Sequence, residues 1–281
     1  MLIINFNKAS KHLSMFFKKV RICLMICLCN ALICQASNEK REAEIAAEIE
    51  KTKDVGHVMW LDTKKEKFLS LYTDTTQNNR QGIIILVHDM GGNPNQQSII
   101  KPFRTFFPEH HWATLSIQMP LADEGASRQD YAVLFPDAKL RLLAAIDFAK
   151  LKKAEKIFII GDGLGGVIAS YTLADKSKSV DGLVVIRLPL ITQDVQIGQP
   201  SDYLSQLTLP ILDIYDAQST NAILQSAKQR EDLPKKHKNY RQLPLENQGR
   251  SYLADDDLLL KRIYSWLGKI TANPSPTSSL P

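Results

Sequence analysis

Beyond residue 34 the chain has no cysteine: Cys23, Cys27, Cys29 and Cys34 are the only four, and all fall in "ICLMICLCNALIC". That excludes a disulfide framework or a thiolate zinc site for the rest of the molecule. Acidic side chains are missing before Glu39, in a segment that carries Lys8, Lys11, Lys18, Lys19 and Arg21. Without those five, the 35 basic residues fall to 30 and match the 30 acidic ones. A balanced chain offers no general footing for nucleic acid or an anionic membrane. Histidine is scarce as well, with six in all and none after His237. No Walker-type loop, zinc spacing or heptad run occurs, so neither a metal nor a cofactor is expected.

The cysteines lie in a short run of Leu, Ile and Met that follows Lys18, Lys19 and Arg21. This is the layout of a secretory signal peptide, too short for a comfortable membrane span, and it outweighs a metal or redox reading of the cluster. "CQA" supports cleavage after Ala36, whereas Ile33 before Cys34 argues against a lipid anchor. Residues 1–36 are therefore expected to be a signal peptide whose true start is possibly Met15, and the mature protein an exported, most simply periplasmic, one. No stable membrane span should remain after cleavage.

Residues 37–54 are rich in Glu, Lys and Ala and poor in large apolar side chains, which predicts an exposed helix or flexible arm adding little to the core. "HVMWLD" and "KFLSLYTD" alternate apolar and polar residues around "TKKE", the pattern of a hairpin with one buried face. "GIIILVHDMGG" is a continuous apolar run ending in glycines, as in a strand buried on both faces. A helix is expected over about 96–107, a strand at "HWATLSIQMP" and a long amphipathic helix around Leu140 to Phe148. The strand and helix unit repeats through "KIFIIG", "GLVVIRLP", "PILDIYD" and "YRQLPL", and "LADDDLLLKRIYSWLGKI" closes the chain as a helix. The expected globular domain is 55–270, followed by a Pro- and Ser-rich disordered tail, 271–281.

Two antiparallel strands, then alternating strands and helices, with a Gly-x-Gly-x-Gly turn after the fifth strand, resemble the α/β-hydrolase fold. "WLDTKKEKFLSLY", "ILVHDMGG", "HWATLSIQMP" and "IIGDGLGG" together resemble a bacterial family of exported α/β-hydrolase-like proteins of unknown function, from about His57 to Leu267. The resemblance implies an α/β three-layer sandwich with a mostly parallel central sheet of about eight strands. In that fold the turn reads Gly-x-Ser-x-Gly and presents the nucleophile. Here Gly161, Asp162, Gly163, Leu164 and Gly165 occupy the five positions, with Gly163 at the centre and Asp162 expected to point away from the pocket. The acid is due after "PILDIY", where Ser219 stands at the implied position and Asp216 lies early in the loop. The base is due after "YRQLPL", where the sequence offers Asn247 and Gln248 instead of histidine. Without nucleophile, acid or base, the usual acyl transfer has no agents.

His88 ends the third strand and is expected to tie down the following loop. Gly91, Gly92 and the helix start at Leu164 are expected to aim backbone N–H groups into a shared cleft able to hold a carboxylate or phosphate oxygen. His110 and His111 read as a solvated turn, Asp255 to Asp257 as helix-dipole partners, and "LPKKHKNY" as a solvated basic loop. The expected function is a non-catalytic protein of the cell envelope that binds a small ligand or an envelope protein. One alternative is a divergent hydrolase, esterase- or peptidase-like, using His88 with Asp216. Another is an accessory subunit of an envelope assembly, with the charged arm and the tail as contact elements.

Overall fold

The computed structural model describes residues 37–52, 56–176, 179–191, 197–246 and 258–272. The expected signal peptide, Asn247, Gln248, Asp255 to Asp257 and the tail from 273 lie outside them. Eight strands form one sheet: β1 (His57–Asp62), β2 (Lys67–Thr73), β3 (Gly82–Val87), β4 (Trp112–Ile117), β5 (Ile157–Asp162), β6 (Gly182–Ile186), β7 (Ile211–Asp216) and β8 (Tyr240–Leu245). Their order is β1-β2-β4-β3-β5-β6-β7-β8. β2 runs antiparallel to both β1 and β4, and every other pairing is parallel. The expected mixed sheet with an antiparallel hairpin at one edge is what forms.

The run at 83–87 shows why the centre of the sheet is apolar throughout. Each residue from Ile83 to Val87 is fully buried, contributing about 1.5–3 kcal/mol apiece. Successive side chains point to opposite faces. Ile83, Ile85 and Val87 join the core that includes Phe135, Leu142, Val167 and Leu173, while Ile84 and Leu86 join Phe103, Phe107, Ile263 and Trp266. Helices therefore cover both faces. Helices α4 (Phe135–Leu151), α5 (Leu164–Ala174) and α6 (Pro200–Gln206) lie on one, and α2 (Ile100–Phe106) and α9 (Leu258–Ala272) on the other. The three-layer sandwich of the α/β-hydrolase fold results. α9 runs two residues past the boundary expected at 270. Short helices α3 (Arg128–Ala132), α7 (Asn221–Gln229) and α8 (Leu233–Lys236) occupy connections. Among the described residues no helix is long and apolar enough to cross a membrane.

Of the two forms expected for the arm, the helix is the one that appears. Helix α1 (Glu39–Lys51) is capped by Asn38, whose side chain accepts from the Arg41 N–H. It is docked rather than loose: Ala46 and Ile49 are buried against Leu69 and Leu71 of β2. Glu42 Oε2 receives a 2.7 Å bond from Arg141 of α4, and its Oε1 accepts from the Leu121 N–H at 3.0 Å. Arg141 also donates to Glu66 at 2.8 Å and is almost fully buried. A low content of large apolar residues suggested an arm, but one helical stripe, Glu42, Ala46 and Ile49, anchors the helix through a buried ion pair.

Candidate functional site

The site expected at the strand tips is built from two segments. The end of β5 turns into α5 through Gly163, whose backbone sits at φ +51° and ψ −120°. That is a left-handed conformation that glycine adopts without steric cost. Gly163 N–H donates to Ile186 O of β6 at 2.8 Å, which fixes the turn against the sheet. A Cβ at Gly165 would lie 2.4 Å from His88 O. The first turn of α5 is thereby pressed onto the end of β3, and the loop after β3 is brought over the turn.

The residue that loop delivers is Asp89, which sequence reasoning passed over. A Cβ built on Gly163 would lie 2.2 Å from Asp89 Cγ. The Asp89 carboxylate thus fills the space into which a nucleophile at position 163 would project. Its Oδ1 accepts from the Leu164 N–H at 2.7 Å and from the Met90 N–H at 2.8 Å. In this fold the N–H of the residue after the nucleophile and one from the loop after the third strand form the oxyanion hole. Here the Asp89 carboxylate accepts from the N–H of Leu164, the residue after position 163, and from that of Met90 in the loop after β3. Sequence spacing gave no signal for it beyond the placement of an acid directly after His88.

Two of the expected N–H groups have partners within the chain. Leu164 N–H is bonded to Asp89, and Gly92 N–H donates to Asp89 O at 3.0 Å. Gly91 takes the positive φ, +69°, of the same tight turn. His88 is buried, and both ring nitrogens are used. Nδ1–H donates to Asp89 O at 2.7 Å, and Nε2 accepts from the Met119 N–H at 3.0 Å. Burial pulls its pKa down to about 4, so the ring stays neutral and ties the loop to the chain just after β4. Asp216 serves its own turn, Oδ1 accepting from the Gln218 N–H at 2.8 Å, while Ser219 N–H donates to Asp216 O. β7 stands three strands from β3, ~14 Å at the usual strand spacing. The structure does not bring His88 and Asp216 together.

Asp162 is buried and held by two bonds from Arg187, Nε to Oδ1 at 2.9 Å and Nη2 to Oδ2 at 2.7 Å. Burial raises its pKa to about 6, with Arg187 opposing and Asp89 adding to the rise. A second acid missed in sequence, Asp213 of β7, is committed to Arg230 at 2.7 Å and to the Tyr240 hydroxyl. His110 and His111 bond to separate carbonyls, Phe106 O and Asn78 O. Among the described residues no group of three His, Cys, Asp or Glu is placed to hold a metal ion. Away from the glycine turn, a cavity of about 380 Å³ opens between α1 and the β1–β2 hairpin, lined by Glu42, Trp60, Glu66, Phe68, Gln118 and Arg141. Trp60 is 49% exposed there.

Solved structures share this architecture at low identity. Est1E from Butyrivibrio proteoclasticus is 16% identical with a TM-score of 0.60, covering 78% of this chain and 100% of its own. The Pyrococcus furiosus esterase Pf2001 is 13% identical with a TM-score of 0.57, covering 77% and 91%. An alpha-beta serine hydrolase homologue from Coxiella burnetii is 13% identical with a TM-score of 0.59, covering 76% and 98%. At these identities the likeness establishes the α/β-hydrolase fold. No curated protein matches the sequence. Residues 30–139 and 136–269 match one family throughout the folded part, and the chain belongs to that family, described as "Protein of unknown function (DUF3530)".

Proposed function

We propose that this is an α/β-hydrolase-fold protein that has exchanged catalysis for binding, exported to the cell envelope by its N-terminal segment. The observation that carries the reading is Asp89. A carboxylate that accepts from the Leu164 and Met90 N–H groups occupies the place where an acyl oxyanion would be stabilised, and that stabilisation is the largest single contribution in most acyl-transfer sites. Glycine at 163 supplies no attacking atom, and the neutral, doubly bonded His88 supplies no base. The binding role falls to surfaces beside the old centre, with the Trp60 cavity as the small-ligand site.

The rival reading, a divergent esterase, draws on the esterase names of the structural neighbours. Hydrolysis of short-chain nitrophenyl esters, thioesters and peptides by the full chain separates the two. Rates at the buffer background, unchanged in His88→Gln and Asp89→Asn, are expected. Turnover that disappears in either variant would make the protein an enzyme and end the proposal.

A further inference from the structure

Helix α1 carries a side chain to the loop after β3. Arg41, next to the docked Glu42, is held by Nη1 donating to Ala122 O at 3.0 Å, and among the described residues it has no carboxylate partner. Its other end reaches Gly91. A Cβ built on Gly91 would lie 3.8 Å from Arg41 Nη2 and 3.8 Å from the Tyr131 hydroxyl, and beyond the adjoining loop residues it would meet nothing else within 4 Å. Tyr131 of α3 is only 5% exposed, packed into the core that includes Phe135. Its hydroxyl nevertheless keeps accessible surface and has no hydrogen-bond partner among the described residues. Buried tyrosines usually bring the O–H to an acceptor, and the space this one opens onto is the one beside Gly91. The Gly91 N–H has no partner there either. The neighbouring acids are turned elsewhere: Asp89 onto the Leu164 and Met90 N–H groups, Asp123 onto the Asn38 amide, and Glu42 onto Arg141.

One guanidinium and one hydroxyl directed at one point match a group with a single negative charge and two acceptor oxygens. A phosphate dianion would call for a second cation. Met90, the residue before Gly91, is 37% exposed and adds an apolar flank. We infer that the loop at Gly91 binds a monocarboxylate on an apolar body, with Arg41 pairing one oxygen, Tyr131 O–H donating to the other and Met90 meeting the apolar part. An exposed charge pair alone adds little, so the apolar part is needed for a measurable affinity. Neither Arg41 nor Tyr131 lines the Trp60 cavity. The site therefore stands whether or not that cavity is filled, and whether or not the glycine turn is catalytic.

Hexanoate is titrated into the full chain at constant ionic strength, with heat and the Gly91 amide and Arg41 Nε–H resonances as readouts, beside acetate and hexanol. Saturable binding of hexanoate that moves both resonances is expected, with no saturation by acetate or hexanol. Tyr131→Phe, which keeps the packing and removes only the hydroxyl, should weaken hexanoate at least about tenfold, as should Arg41→Gln, each losing a charge-assisted bond. Trp60→Ala should leave the affinity unchanged. Hexanoate that fails to saturate, that binds both variants as well as the wild type, or that acetate or hexanol matches, overturns the site. Binding lost in Trp60→Ala but kept in Tyr131→Phe also overturns it, and places the carboxylate in the Trp60 cavity instead.

Discussion

Gly163 and Asp89 are one feature at the scale of single residues. The carboxylate has room because position 163 has no side chain, and glycine there holds a φ of +51° without the strain that a side chain would bring. Gly163→Ala should therefore destabilise the protein by about 2 kcal/mol or more, through backbone strain and displacement of Asp89. Adding Asp89→Gly should recover part of the loss. Urea unfolding of the two single variants and the double variant measures that coupling, and strict additivity would separate the two residues. The buried pair His88 and Asp162 gives a pH signature with opposite signs. The His88 pKa is lowered from 6.5 to about 4, so its contribution is complete above pH 6.5 and is lost as pH falls toward 4. The Asp162 pKa is raised from 3.8 to about 6, so its contribution is complete below 3.8 and is lost as pH rises through 6. Each shift corresponds to about 3 kcal/mol, and in the wild type the two largely cancel between pH 4 and 6.5. His88→Gln should expose the Asp162 slope, with stability falling as pH rises, and Asp162→Asn the His88 slope, with stability falling as pH drops. Thermal melts across that range check both signs.

At the scale of elements, α1 is the part most dependent on a single ion-pair cluster. Arg141 is 1% exposed, and its ion-pair partners come from two places, Glu42 of α1 and Glu66 of the β1–β2 turn, while the Gln118 carbonyl accepts a further bond at 3.1 Å. Removing one partner of a buried pair is costly because the remaining charge stays desolvated. Glu42→Ala should cost about 2 kcal/mol or more, Glu66 keeping the loss below that of a fully orphaned arginine. The same change should free α1, so its amides should exchange with solvent well before those of β3. Hydrogen exchange read by mass spectrometry checks this, and α1 amides as protected as in the wild type would show that Ala46 and Ile49 hold the helix unaided. The same helix walls the Trp60 cavity, so loss of α1 should also remove whatever the cavity binds.

For the whole molecule, the fold was legible wherever information is local. The apolar run at 83–87, the alternating hairpin and the glycine triplet at 161–165 each announce a strand or turn within a few residues. What was not legible depends on segments meeting after the sheet has assembled. Asp89 reaches Leu164 across 75 positions of sequence, and Glu42 reaches Arg141 across 99. No periodicity encodes either contact. Glycine at position 163 was visible in the sequence, but the identity of that residue does not say what fills the space beside it.

Whether Asp89 fills the oxyanion hole is reported directly by the backbone amides of Leu164 and Met90. The measurement is a titration of the full chain with acetate, followed through those two amide resonances by ¹H–¹⁵N NMR, with Asp89→Gly alongside. In the wild type both amides should be unmoved by acetate, and in Asp89→Gly both should shift saturably as the small carboxylate takes the vacated place. Saturable shifts in the wild type would mean that the hole is open and that Asp89 does not close it.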